Sequence, residues 1–213
     1  MLVDLHCHTA DKSDDSTLTL TVIGRLARDR GVAAVCITDH DAFWEPDVLE
    51  QAGNDAGVLF IPGAEINTDG GHVLVFGLSQ YEFGYHHPDR LIGAVARAGG
   101  AAILAHPHRR ALPLGIGPGS PGFDAALERA RSNPLLGAVD AIEIWNGRGT
   151  DEQNAFSASL AEALGMPETG ASDAHAEEDF GSAATEFDRP VSGVDDLIQE
   201  LKAGRFRPAI PER

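Results

Sequence analysis

Cysteine is scarce in this chain of 213 residues: there are two, Cys7 and Cys36. Neither belongs to a Cys-x-x-Cys pattern, and each sits inside an apolar run. The sequence therefore gives no support to a disulfide scaffold or a thiolate metal site, and two buried, reduced thiols are expected. Basic residues are short as well, 16 Lys and Arg against 33 Asp and Glu, for a formal charge of −17. Binding to long duplex nucleic acid or to an anionic membrane rests on clustered positive charge, so this balance argues against both. No apolar stretch approaches the ~18 residues of a membrane span, and no leader-like pattern is evident, which makes a soluble, cytoplasmic chain the expectation. A Gly-x-Gly-x-x-Gly or phosphate-loop signature after the first strand is missing too, which weighs against a nucleotide-cofactor fold. Apolar residues are present in ordinary amount, 43%, enough for one domain over 1–213 with a substantial core.

What is present is a strand–helix rhythm repeated about seven times. Residues 2–7 read as a first strand. Thr19 is placed to cap a helix carrying Ile23, Leu26 and Ala27, which Gly31 ends. Ala33–Thr38 is a continuous apolar run of the kind buried in a parallel sheet. A helix over Pro46–Ala56 follows, then a strand over Val58–Ile61. Residues 66–77 read as a hairpin turning at Asn67-Thr68-Asp69-Gly70-Gly71. A helix from Pro88 leads to a fourth parallel strand, Ala101–Ala105. The Gly/Pro-rich stretch 112–122 reads as a flap beside the site. A helix near Phe123–Arg131, a strand over Val139–Ile144, a loop at Trp145–Arg148, a helix over Asp151–Leu164 and a last helix after Ser192 complete the pattern. The rhythm predicts an α/β domain with a parallel sheet.

Polar residues cluster after nearly every strand. These are His6 and His8, His40, Glu65, His72, His106, then Asp173 and His175. Convergence of strand C-termini on one mouth favours a closed barrel over an open sheet, which would concentrate such residues at one switch point. Successive side chains of a strand alternate, so His6 and His8 share a face and Cys7 takes the other. Imidazoles with carboxylates are the ligand set of Zn, Fe or Mn. Six histidines and two carboxylates exceed what one ion uses, and Glu65 is best placed to bridge two. Arg109, Arg110 and Arg148 lie at the same mouth and suit a phosphate. Asn146 is a further candidate for positioning a substrate oxygen or for capping the loop after it, and His108 for contacting substrate or for orienting His106. His86 and His87, before a helix, read as exposed.

The order Asp-Leu-His-x-His, Thr-Asp-His-Asp, Gly-x-Glu-Ile with a nearby His, Ala-His-Pro, then Ser-Asp-Ala-His resembles the PHP (polymerase and histidinol phosphatase) family, from Val3 through at least His175. The resemblance implies a distorted seven-stranded (β/α) barrel, with two or three divalent metals (Mn, Zn or Fe) at the C-terminal strand ends. It also implies hydrolysis of phosphate esters. One metal would take His6, His8, Glu65 and Asp173, and a second Glu65, His72 and His106. A third would take His40, His175 and an Asp after the first motif, here Asp14, with Asp15 its rival. Catalysis would rest on Glu65, His106, Asp173 and His175. The expected substrate is a small phosphate ester, a nucleotide or a short oligonucleotide. A histidinol-phosphate phosphatase is the nearest alternative, and a non-catalytic, metal-stabilised interaction domain the alternative of another class. Asp41, His108 or a metal-bound water could protonate a leaving group.

Overall fold

The computed structural model describes residues 1–211. It contains ten strands: β1 (Leu2–Cys7), β2 (Ala34–Ile37), β3 (Leu59–Pro62), β4 (Ala64–Thr68), β5 (Gly71–Phe76), β6 (Ala101–Leu104), β7 (Ala141–Asn146), β8 (Glu168–Ala171), β9 (Ala184–Phe187) and β10 (Phe206–Ala209). Seven α-helices lie between them: α1 (Leu20–Asp29), α2 (Pro46–Ala56), α3 (Pro88–Arg97), α4 (His108–Ala111), α5 (Pro121–Ala130), α6 (Asp151–Leu164) and α7 (Val194–Ala203).

Helix ends follow their local chemistry. Thr19 accepts a hydrogen bond from the Val22 amide at α1. Proline opens α2 and α3. Thr150 and Gln153 form a reciprocal capping box on α6. Such caps satisfy amides that have no partner within the helix.

The strands form two five-stranded sheets, in the orders β10-β9-β1-β2-β3 and β4-β5-β6-β7-β8. The expected single closed ladder is therefore absent among the described residues. The sheets meet instead at two isolated parallel bridges, Cys7 with Ala174 and His40 with Glu65. The chain passes between sheets at Gly63, where a Cβ would lie 2.8 Å from the Phe76 ring. Pairing is also more mixed than expected. The β4–β5 hairpin reverses the chain, so β6 runs antiparallel to β5 and parallel only to β7. The sequence reading contained neither β9 nor β10; both pair antiparallel, extending the first sheet from β1.

A central apolar cluster lies between the sheets, built from Val3, Leu5, Ile61, Leu74, Phe76 and Ile103. Leu197 and Leu201 of α7 join it from one end. An outer cluster packs α1 on the first sheet through Ile23, Leu26 and Ala27, and Cys7 belongs to it. A second outer cluster packs α3 and α6 on the other sheet through Leu91, Val95 and Leu160. Cys7 and Cys36 are buried and unbonded to each other. No described helix is long and apolar enough to cross a membrane.

Candidate metal centre

Leu5 packs into the central core and Cys7 against α1, while His6 and His8 turn together with ring centroids 5.0 Å apart. Both are fully buried, as are Glu65 and Asp173. Glu65, in β4, is the centre of the arrangement. Its Oε2 lies 3.2 Å from His6 Nε2, 3.3 Å from His8 Nε2 and 3.0 Å from His40 Nδ1. Its Oε1 lies 2.7 Å from His72 Nδ1 and 2.9 Å from His106 Nε2. Asp173 Oδ1 sits 3.4 Å from both His6 Nε2 and His8 Nε2.

The third expected ligand group assembles with one correction. Asp15, not Asp14, reaches the histidines: its Oδ2 is 3.1 Å from His175 Nε2 and 3.6 Å from His40 Nε2. The loop is pinned on both sides of that residue. Ser13 Oγ donates to Asp39 at 2.6 Å, and Ser16 Oγ donates to the His8 carbonyl at 2.9 Å. Both Asp14 and Asp15 are exposed, but only the Asp15 carboxylate is aimed at His40 and His175.

Three non-glycine positions among the described residues have positive φ: Asp41 (φ 50°), His106 (φ 25°) and Asp173 (φ 54°). Two of them carry candidate ligands. Strain of this kind persists where the surrounding structure over-determines a functional geometry.

Electrostatics favour a cation. Burial alone would raise the pKa values of Glu65 and Asp173, but nearby imidazoles, His6 foremost, hold both well below the carboxylate range. His6 is buried, which opposes its charge, yet Asp173, Glu65 and Glu143 push its pKa well above normal. Burial lowers the pKa of His106 and of His175. The centre therefore holds ionised carboxylates balanced by a proton on His6, and a divalent ion displacing that proton would take over its balancing charge and leave His6 neutral.

The strongest test of metal fit is hydrogen bonding. Among the described residues, six buried side-chain atoms have no hydrogen-bond partner: His6 Nε2, His8 Nε2, His40 Nδ1, Glu65 Oε2, Asp173 Oδ1 and His175 Nε2. Orphaned polar atoms in a native interior are rare and call for an explanation. Here all six belong to candidate ligands. Donor atoms within 4.8 Å of one another define four sets: His8/His40/His175, His6/His106/Asp173, His6/His8/Glu65 and His40/Glu65/His72. Nitrogen and carboxylate donors so arranged fit more than one divalent ion.

The candidate substrate contacts divide. Arg109 and Arg110 line a cavity of about 610 Å³ that His72 and His106 also border, with Arg129 on its far wall. Leu112 and Pro113 of the Gly/Pro-rich stretch wall the same cavity. Arg109 also donates to Asp173 Oδ2. Arg148 lies elsewhere, its Nη1 2.9 Å from His175 Nδ1.

Asn146 is corrected as a substrate contact. It is buried, its Nδ2 donates to Glu143 and Asp173, and its Oδ1 accepts from the Arg148 amide. It belongs to β7, not a loop, because the strand continues past an irregularity between Glu143 and Trp145. His108 is also corrected: it is buried, bonded to Ser157 Oγ at 3.2 Å, and burial pulls its pKa down to about 4. Asp41 accepts from the Asn67 amide at 3.0 Å and from Asn67 Nδ2 at 2.9 Å, and so ties its loop to β4. His86 and His87 lie outside the four donor sets, as their reading as loop residues implies.

Sequence reasoning missed Asp39 and Glu143. Asp39 accepts from Thr9 N, Thr9 Oγ1, Ser13 Oγ and Trp44 Nε1, which holds the loop carrying Asp15. Glu143 touches His6, His106 and Asn146. The signal was available for Glu143: a carboxylate inside an apolar buried strand must find partners.

The family profile of the PHP domain matches residues 4–111, and that of the PHP-associated segment matches residues 151–206. The first match holds His6 through His106, and the second holds Asp173 and His175. The chain belongs to the PHP domain family. Among curated relatives, a 5′-3′ exoribonuclease of Haemophilus influenzae is 33% identical over 87 residues, 40% of this PHP chain and 30% of that protein. This chain therefore spans under a third of that relative's length. An uncharacterised protein of Methanocaldococcus jannaschii is 28% identical over 71% of this chain and 85% of its own length. Solved structures share the fold at low identity. A candidate metal-dependent phosphoesterase from Bifidobacterium adolescentis superposes with TM-score 0.60 at 18% identity, over 93% of this PHP chain and 95% of its own. An amidohydrolase from Chromobacterium violaceum, with bound sulfate and no metal, gives 0.66 at 19% identity over 99% and 98%.

Proposed function

We propose that this PHP chain is a hydrolase acting on phosphate esters with two or three divalent ions, Mn, Zn or Fe. The carrying observation is the set of six orphaned buried donor atoms beside a cavity lined by Arg109, Arg110 and Arg129. We read residues 1–213 as one unit. The two sheets, joined at their two bridges, are read as a distorted seven-stranded barrel with β3 and β4 as one broken stave.

His6, His8, Glu65 and Asp173 would hold one ion, and Glu65, His72 and His106 a second. His40, His175 and Asp15 would hold a third. Such ions supply Lewis acidity toward phosphoryl oxygens and lower the pKa of water. Glu65, with one oxygen facing each of the first two sets, fixes their spacing. Arg109 sits between the cavity and Asp173, where guanidinium N–H groups not bonded to Asp173 can donate to a phosphoryl oxygen. His6, His8 and Asp173 are themselves fully buried, which closes that part of the centre to bulk water.

The substrate class we favour is a small phosphate ester, a nucleotide or the end of a short oligonucleotide. A local arginine cluster in a chain of charge −17 suits a compact anion and not a long duplex or a membrane. The likeness to the exoribonuclease, over the 87 residues it covers, supports an oligonucleotide as one phosphate source.

The test is phosphate release by metal-stripped protein reloaded with Mn²⁺, Zn²⁺ or Fe²⁺. Substrates would include histidinol phosphate, nucleotides, bisphosphonucleotides and short RNA. Metal-dependent release is expected for at least one. Metal uptake that raises thermal stability, with no release from any ester, would refute the proposal and leave the non-catalytic reading.

A further inference from the structure

Glu143 lies below the proposed metal centre and is absent from every set of converging donor atoms. It is fully buried, and its two oxygens serve different strands. Oε1 is 3.0 Å from His6 Nδ1 on β1. Oε2 accepts from the His106 amide after β6 at 2.9 Å, and from Asn146 Nδ2 at 3.0 Å. The same Asn146 nitrogen donates to Asp173 Oδ2 at 3.1 Å.

The strand itself brings these groups together. Ala141 faces the central core and Ile142 the outer one, so alternation turns Glu143 inward. Asn146, three residues on, would face outward in a regular strand. The register shift between Glu143 and Trp145 turns it to the inner side, as strand irregularities beside active sites do.

We propose that Glu143 is a positioning residue. It holds the Nδ1 proton of His6, so that Nε2 presents its lone pair to a divalent ion. With Asn146 it also fixes the strained His106 backbone and the Asp173 carboxylate relative to His6. A neutral imidazole carries one N–H, and the partner of that N–H decides which nitrogen is left to ligate. The Glu143 side chain touches one ligand directly, the backbone of a second, and a third through Asn146. One acid on β7 thus sets three ligands contributed by three other parts of the chain.

This inference rests on the metal-centre reading, and the experiment separates the two. Wild-type protein and Glu143→Gln are stripped, then titrated with Co²⁺ by visible absorption. Wild-type protein that binds no cobalt refutes the metal centre itself. Binding by wild type, with Kd raised on the order of 10–100-fold in Glu143→Gln, is the expected result. An unchanged Kd in the folded variant overturns the positioning role alone. Should Glu143→Gln fail to fold, zinc-loaded wild-type protein provides the test by ¹⁵N NMR of the imidazoles. His6, assigned by the loss of its signals in His6→Asn, is expected to carry its proton on Nδ1. A proton on Nε2 overturns the proposal.

Discussion

Asp39→Asn isolates the loop that delivers Asp15. Each Asp39 oxygen accepts one N–H and one hydroxyl. Oδ1 takes the Thr9 amide at 2.7 Å and Ser13 Oγ at 2.6 Å; Oδ2 takes Trp44 Nε1 at 2.7 Å and Thr9 Oγ1 at 2.8 Å. An asparagine turned either way places an NH2 against one of those N–H groups. The hydroxyls can rotate and become acceptors, but the amide and the indole cannot. One buried N–H is therefore left unpaired, and the remaining bonds lose their charge assistance, a cost of about 2–3 kcal/mol. For a chain of this size that corresponds to roughly 4–12 °C in Tm. Melting is measured in EDTA, so that stability does not depend on bound metal. Cobalt titration then follows Asp15, whose reach to His40 and His175 depends on this anchor. The variant is expected to melt lower and to lose the weakest class of metal site first. A melt within 1 °C of wild type, by the same order-of-magnitude reckoning, would refute the reasoning.

Further outcomes are expected. His6→Ala and Asp173→Ala should each abolish turnover and lower metal content measured by elemental analysis; full activity in either would break the shared-centre account. Arg129→Ala removes a charge from the cavity wall without touching a candidate ligand, so KM should rise about tenfold with metal content unchanged. Asp4 is buried and its pKa is raised to about 6, first by desolvation. A raised carboxyl pKa favours the folded state below the unfolded value and loses that contribution as pH climbs through 6. Wild type should therefore lose about 2 kcal/mol relative to Asp4→Asn between pH 4 and 7 in EDTA; parallel stability curves would contradict this. Gly147 has no room for a side chain, since a Cβ would lie 2.7 Å from the Ser172 carbonyl. Gly147→Ala should displace the Asp173 segment and weaken metal binding in the same titration.

Much of the centre was legible because its chemistry is local to strand ends. His6 with His8, Glu65 after its turn and His106 each sit at or just past the end of an apolar run, the Asp173–His175 pair stands out by its motif alone, and the structure brings them together. Helices were legible where caps and proline mark them, as at Thr19 and Pro46. Short edge strands were not. β10 contains a proline and exposed or half-buried residues, and its pairing with β9 is settled by tertiary contact, not by pattern. The choice between Asp14 and Asp15 was likewise beyond sequence, because it depends on Ser13 and Ser16 anchoring the loop to Asp39 and to the His8 carbonyl, which lie outside it. Asn146 was misplaced for a related reason: nothing local announces the irregularity that continues β7 and turns this side chain inward.

The two isolated bridges give the centre a mechanical meaning. His6 and His8 come from the first sheet, with Asp15 and His40 on the loops beside it; Glu65, His72, His106, Asp173 and His175 come from the second. Ions held between them would act as rivets across a seam that the backbone closes at two points. The stiffness of the fold would then be adjustable by metal supply. In chelator, the buried amides of His8 and Glu65, which bond to Ala174 and Asp39 across that seam, should exchange with solvent faster than those inside either sheet.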